Sequence, residues 1–584
     1  MKIYINWQKV GSFLLRVLSV VTTPVIAELG MFMLLLGALM LTAAFYHAYC
    51  TPSMSLMFEM HWMAKLLPVY VLIAYMHVVL LYLAGLWKRW LRHALCVVFV
   101  LLYVILSLFE ICLMWFYTSA FNATIITLLA QTTPEETDGF FKTYIFTREF
   151  GMFALKLVGG IVAAFVLYFL TARYVRRYSY VLRGFVLGCL VYLVPICATP
   201  QFLNEWLSKA PYTSFGRCST ALRMCLKYAV TDVNSDSGII SVGEGSPTIV
   251  LIIGESYNKH HSSLYGYPHK TTPRQEALRD SGNLYVFNDV VSPHNITNVM
   301  LREIFSVHSY DMTEETWPEY PLVPHILRDA GYHVSFASNQ IAKVGEDGWA
   351  RSRIGIYFFN IPAIARRSFD YRNDHIYRFD EGLLKELEII HSGKAFDREF
   401  TILHMKGQHS HPARYYPNER VIFSASDYER KDWQNDDHLE YIAHYDNATH
   451  YNDMVVGDIF DYYSDREAIV IYVADHGEEV YDCRAYAGRS QAAFKNANVL
   501  KYQHEVPFVI YVSDKYKAAF PDVIHRIEGA VNRAMSSDNV AHMVIGLSGV
   551  ETKWYDKTRD VLHDEYDAAR PRVINTGQVY EREE

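Results

Sequence analysis

Five long apolar runs crowd the first two hundred residues, and no other feature limits the fold so strongly. They lie near residues 29–49, 66–87, 94–117, 152–172 and 181–198 of a 584-residue chain. Each is close to the ~20 apolar residues that cross a bilayer as one helix. A single run of this kind reads equally well as a buried helix of a soluble protein. Five so close together do not. The first run is long, follows Glu28 directly and lacks a small-residue cleavage pattern, so it reads as an anchor and not as a removable leader. Residues 1–198 are therefore expected to form a five-helix transmembrane domain.

The basic residues orient it. Lys2, Lys9 and Arg16 precede the first run, Lys88, Arg89 and Arg92 lie between the second and third, and Arg173, Arg176, Arg177 and Arg183 lie between the fourth and fifth. The alternate connections are poorer in base. One has Lys65; the other has Lys142 and Arg148 set against Glu135, Glu136, Asp138 and Glu149. Cytoplasmic connections carry the excess of Lys and Arg. The N-terminus is thus expected in the cytoplasm, and everything after about residue 200 outside. For a Gram-negative cell this means an inner-membrane protein with a periplasmic domain.

Beyond residue 198 the composition changes. Residues 199–245 read as a connector, with helical spacing over Ser219–Val230 that suits a bridging helix. From Ser246 apolar strands alternate with helical segments, which predicts an α/β domain over 246–584 with a mostly parallel sheet. "LVPHILRDAGYHVSFASNQ", Leu322–Gln340, reads as helix, glycine stop and strand. The net charge of −8 offers no basic surface for nucleic acid. Cys218, Cys225 and Cys483 are too few and too scattered for spacing to define a disulfide.

Three of the expected strands end in groups that can hold a metal. "TIVLIIGES" ends in Glu255, "EFTILHMKGQHSH" runs into His409, and "EAIVIYVADHGEE" ends in Asp475 and His476. Parallel strands bring such ends to one edge, where open α/β sheets bind ligands. Carboxylate oxygen and imidazole nitrogen are suitable zinc donors. Three unrelated polar strand caps are the plain alternative, but Asp-His-Gly after a buried strand, joined by a Glu and a His elsewhere, favours one site. A metal beside a hydroxyl points to covalent phosphoryl-type transfer. Thr297 stands at an expected helix start, where free N–H groups favour a phosphate; an ordinary cap is the simpler role. Ser292 and Ser256 are rivals for the nucleophile.

"IVLIIGESYNKHHSSLYGYPHKTTP", "FNDVVSPHNIT", "LHMKGQHSHPARYYP", "YDNATHYNDMVV" and "VADHGEEVYD" occur in that order. Together they resemble the phosphoethanolamine transferases of Gram-negative inner membranes, the lipid A modifying and colistin-resistance enzymes, and most of all the branch that modifies lipopolysaccharide core. The resemblance implies an alkaline-phosphatase/sulfatase-like periplasmic domain. It implies phosphatidylethanolamine as donor and an envelope acceptor: lipid A, lipopolysaccharide core or another glycan. By the same resemblance Glu255, Thr297, Asp475 and His476 bind zinc, Thr297 being also the nucleophile. His409 and His504 bind substrate or a second zinc, so that one or two ions are implied, and the loop Phe121–Phe141 helps to hold the lipid. The chain departs from the family after Asp-His-Gly-Glu, where "YDCRAYAGRSQ" has no His, and it lacks the cysteines of the lipid A enzymes.

Two other readings compete. One is the same fold with different chemistry, a phosphoglycerol transferase or a sulfatase-like hydrolase. The second requires a Cys or Ser in a C/S-x-P-x-R setting that "VVSPHN" does not supply, and headgroup choice rests on pocket shape. The other is a non-enzymatic membrane protein with a degenerate domain, for which Glu110 and Lys156 inside the apolar runs would speak.

Overall fold

The computed structural model describes residues 7–50, 56–117, 145–177, 179–197, 236–244, 247–312, 317–340, 358–360, 362–489, 497–575 and 577–582, with isolated positions between 121 and 141. The expected bridging helix at Ser219–Val230 and most of the loop Phe121–Phe141 lie outside the described residues. The chain forms two compact units, one built mainly from residues 1–129 and 144–224, the other mainly from 225–489 and 494–584.

The N-terminal unit is helical. Its elements are α1 (Trp7–Ala27), α2 (Leu29–Cys50), α3 (Leu56–Trp87), α4 (Arg89–Tyr117), α5 (Arg148–Arg177) and α6 (Ser179–Cys197). Phe32 and Leu35 of α2 pack with Val71, Ala74 and Val78 of α3 and Val186 of α6. Among the described residues, three helical stretches are long and apolar enough to cross a membrane: Leu29–Tyr49, Leu67–Trp87 and Arg89–Phe116. These match the first three of the five expected runs; the fourth and fifth fall on α5 and α6, where the described apolar stretch is the shorter Ser179–Tyr192. Helix α1 was not anticipated, because Lys9 and Arg16 interrupt its apolar face. It ends at Glu28, whose carboxylate accepts both Nε and Nη2 of Arg92 at 2.6 and 2.9 Å. Glu110 is buried and accepts the Phe121 N–H at 3.1 Å.

The C-terminal unit is built on a seven-stranded sheet: β1 (Thr248–Gly254), β2 (Leu284–Val286), β3 (His333–Ser338), β4 (Tyr371–Arg372), β5 (Glu399–His404), β6 (Ala468–Ala474) and β7 (Phe508–Val512). The order across it is β2-β7-β6-β1-β5-β3-β4. Strands β1, β5 and β6 are buried along their lengths, apart from the half-buried Thr248. Continuous apolar runs suit strands covered on both faces. The sheet is mixed, with one strand reversed within an otherwise parallel set. The pairs β1–β5, β1–β6, β3–β5 and β3–β4 are parallel, whereas β7 runs against both β2 and β6. The cause is local. Pro507, just before β7, accepts the Ala474 N–H through its carbonyl, so β7 starts where β6 ends and must return. The helix–glycine–strand reading of Leu322–Gln340 corresponds to a helix at Val323–Asp329, Gly331 at φ +88° and β3. Residues 239–242, expected in the connector, form a strand paired antiparallel with Val550–Thr552.

Candidate active site

Register decides which side chains meet. Gly254 lies opposite Ala474, and Ile253 lies opposite His404. The first residues beyond the two central strands are therefore Glu255 and Asp475, side by side, with His476 next. All three side chains are fully buried. Gly254 is required by the packing, since a Cβ there would run into the Tyr472 hydroxyl. Ser256 follows in the left-handed region at φ +54°, a costly conformation for a residue with a Cβ. Its N–H donates to Asp475 Oδ1 at 3.0 Å, and its carbonyl accepts the Tyr445 hydroxyl at 2.6 Å. Tyr445 belongs to the long helix Asp436–Tyr463, which also fixes the turns after Glu255. Asp446 accepts from His261, Tyr267 and Tyr428, and Asp453 accepts the N–H groups of Arg274 and Gln275.

Thr297 completes the cluster. It is the first residue of the helix Thr297–Phe305, so the unpaired N–H groups of that terminus lie beside its hydroxyl. Oγ1 donates to Glu255 Oε2 at 3.0 Å and lies 3.2 Å from His476 Nε2. Unlike the three groups it meets, Thr297 is only half-buried. The rival hydroxyls are engaged elsewhere. Ser292 Oγ lies 2.6 Å from the carbonyls of both His294 and Asp475, and Ser256 Oγ donates to Glu255 Oε1 at 2.6 Å.

The electron pairs here converge without enough protons to separate them. His476 Nδ1 donates to the Gly477 carbonyl at 3.0 Å, so Nε2 presents its lone pair. That atom faces Asp475 Oδ2 at 3.1 Å and Glu255 Oε1 at 3.5 Å. Asp475 Oδ2 is buried and has no hydrogen-bond partner. Burial raises the Asp475 carboxyl above its usual range, and burial with the nearby Arg489 lowers His476 to about 3. Among the described residues Glu255, Asp475 and His476 form the cluster able to hold a metal, their donor atoms within 4.8 Å of one another. Two carboxylates, one unprotonated imidazole nitrogen and a hydroxyl match the oxygen and nitrogen donors that zinc takes.

The other expected residues are placed differently. Strand β5 ends at His404, five residues before His409. It is His404 that stands buried at the sheet edge, with Ser338 Oγ 2.9 Å from Nδ1 and Gln340 Nε2 3.2 Å from Nε2. Burial lowers it to about 4. His409 is half-buried beyond the turn at Gly407, beside Ser410 and Tyr415, and outside the three-residue cluster. His504 is buried, its Nδ1 donating to the Ser292 carbonyl at 2.8 Å; burial lowers it to about 4.

Two residues at the site were not anticipated. Gln340 Nε2 donates to Glu255 Oε2 at 3.0 Å and to the Met405 carbonyl at 2.7 Å. Arg489 Nη1 donates to His476 Nε2 at 2.5 Å, and its Nε lies 3.0 Å from Glu478 Oε2. Neither had a local signal. Gln340 follows β3 by two residues, and Arg489 lies in a stretch notable in sequence only for lacking a His.

The chain belongs to the sulfatase family, whose model matches residues 247–550, from the start of β1 to Val550. The alkaline-phosphatase/sulfatase-like fold implied by the motifs is thereby established. Its relatives are more particular. Phosphoethanolamine transferase EptC of Escherichia coli is 27% identical over 331 residues, which are 56% of this chain and 54% of that protein. The chain spans about half the length of the curated relatives it matches. The C-terminal periplasmic domain of EcEptC, solved in complex with Zn, is 26% identical over 56% of this chain and 89% of that one, with a TM-score of 0.48. The integral membrane protein lipooligosaccharide phosphoethanolamine transferase A from Neisseria meningitidis shares the fold. It has a TM-score of 0.57 at 16% identity, covering 93% of this chain and 98% of that one.

Proposed function

We propose that the chain is a membrane-anchored, zinc-dependent phosphoethanolamine transferase. It takes phosphoethanolamine from phosphatidylethanolamine onto Thr297 and passes it to an envelope acceptor: lipid A, lipopolysaccharide core or another glycan. The anchor is a multi-pass inner-membrane domain with a cytoplasmic N-terminus, and the catalytic domain is periplasmic. One observation carries the reading. The half-buried Thr297 hydroxyl lies 3.0 Å from Glu255 Oε2 and 3.2 Å from Nε2 of His476. A hydroxyl so placed at a helix N-terminus suits nucleophilic attack on phosphorus.

Glu255, Asp475, His476 and Thr297 would hold the zinc. When bound, it would lower the pKa of the threonine hydroxyl and draw charge from the phosphoryl group. Glu255 accepts the hydroxyl proton and aims the oxygen. Asp475 Oδ1 accepts the N–H groups of Ser256 and His476 at 3.0 and 2.8 Å, which locks both strand ends. Gly477 fixes the His476 tautomer through its carbonyl. In the first half-reaction the Thr297 Oγ–P bond forms, the P–O bond to diacylglycerol breaks, and diacylglycerol leaves with the proton. In the second, an acceptor hydroxyl attacks phosphorus and Thr297 regains a proton. His409 and His504 are assigned to substrate or to a second zinc.

The test uses full-length detergent-solubilised protein and acyl-labelled phosphatidylethanolamine, with no acceptor present. Labelled diacylglycerol and a phosphoethanolamine mass adduct on the Thr297 peptide are expected. Neither product from folded, zinc-loaded protein would reject this donor and direct the same assay to phosphatidylglycerol.

A further inference from the structure

Arg489 occupies a position that a metal would take from it. Its Nη1 donates to His476 Nε2 at 2.5 Å. The other ring nitrogen of His476 already donates to Gly477, so Nε2 has one lone pair to give, either to the guanidinium or to a metal. Loading the site must release Arg489. Its side chain stays ion-paired with Glu478, Nε 3.0 Å from Oε2, and Nη1 has the Asn295 carbonyl at 3.3 Å, two residues before Thr297. The freed N–H groups therefore remain next to the threonine hydroxyl, which lies 3.2 Å from the nitrogen they leave. Arg489 has 19% of its side chain exposed, while Glu255, Asp475 and His476 have none. It faces the open side of the cluster, from which a substrate must come.

Building on the transfer reading above, we propose that Arg489 is a catalytic residue. Displaced from His476 by the metal, it grips the non-bridging oxygens of the phosphoryl group carried on Thr297. A planar guanidinium offers two parallel N–H groups to such oxygens, and a preorganised cation where charge develops lowers the barrier. Glu478 orients it. The step adds no reactant and moves no proton.

The experiment uses full-length zinc-loaded protein in detergent, with inorganic phosphate as the probe. Zinc content and zinc affinity are measured alongside phosphate affinity for wild type, Arg489→Met and Arg489→Lys. Arg489→Met is expected to keep its zinc, with affinity equal or higher because a competitor for His476 is gone, and to bind phosphate at least 10-fold more weakly. Arg489→Lys is expected to fall between. Unchanged phosphate affinity in zinc-loaded Arg489→Met overturns the proposal. So does loss of zinc in both variants, which would make Arg489 a support of the metal site. Failure of zinc-loaded wild type to bind phosphate overturns the transfer reading itself, a different result from a variant that matches a phosphate-binding wild type.

Discussion

Replacing Asp475 by Asn tests the metal assignment with little change of shape. Oδ1 keeps its acceptor role toward the N–H groups of Ser256 and His476. The new NH2 stands where Oδ2 now lies unpartnered, 3.1 Å from His476 Nε2, and takes the lone pair from Arg489 Nη1, which keeps the Asn295 carbonyl at 3.3 Å. Without metal the variant gains: an unsatisfied buried polar atom costs about 1–3 kcal/mol, and that cost disappears. The sign with pH follows. Burial raises the folded-state pKa of Asp475, so the proton it binds stabilises the metal-free fold below the unfolded value near 4, and this stability is lost as pH rises through the folded pKa. Metal-stripped Asp475→Asn should therefore melt above metal-stripped wild type at pH 7.5, with the difference closing toward pH 4. Zinc reverses the ranking. At a thousand times its Kd a ligand adds about 4 kcal/mol to wild type, whereas the variant has lost an anionic donor and gains little. Thermal unfolding of the full-length protein in detergent, with chelator and with zinc at both pH values, reads all of this. Equal stabilisation of both proteins by zinc would refute the assignment.

Three further outcomes are expected. Thr297→Ala should leave the unfolding midpoint nearly unchanged, abolish the mass adduct and lower turnover by about 10³-fold or more, the scale on which members of a catalytic unit act; retained turnover moves the nucleophile to Ser256 or Ser292. Lys259 and Glu505 form a buried pair at 2.7 Å, in which His260 and Lys259 hold the Glu505 carboxyl well below its usual range against the opposing effect of burial. Lys259→Met should cost about 3–5 kcal/mol by urea unfolding at pH 7, and less as pH falls below about 4 and wild type loses the pair's contribution; an undiminished cost at pH 3 would contradict this. Gly254→Ala should cost about 1–3 kcal/mol by overpacking against Tyr472, with part of it recovered in the double variant with Tyr472→Phe, measured by the same unfolding.

The parts of the site that could be read from sequence are those where a short apolar run stops at a polar residue. Glu255 and the Asp475–His476 pair each adjoin a seven-residue strand, and the alternation of strand and helix brings such ends to one edge. "LHMKGQHSH" holds three histidines, and local pattern alone does not show which of them the strand keeps at its edge. The choice is made at a distance. Asp380 accepts the N–H groups of Lys406 and Gly407, and Gly407 turns at φ +49° where a Cβ would lie 2.6 Å from the Glu255 carbonyl. The chain leaves the sheet at once, so that His404 stays at the edge and His409 is carried past it. Arg489 and Gln340 reach the site only through tertiary folding. The direction of β7 was hidden for a similar reason, because it depends on where Pro507 lies and not on the composition of the strand.

The pairing of β1 with β6 also sets a time order. Glu255 and Asp475 are 220 positions apart and become neighbours only when Gly254 and Ala474 align. Contacts of such long separation form late, after the loop-closure entropy of the intervening chain has been met. A chain still emerging from a membrane presents Glu255 and Thr297 without Asp475 or His476, a weak and open pair. Tight capture of a divalent cation is thus deferred until the sheet is complete. The ion acts as a seal on a finished domain and not as a template for an unfinished one.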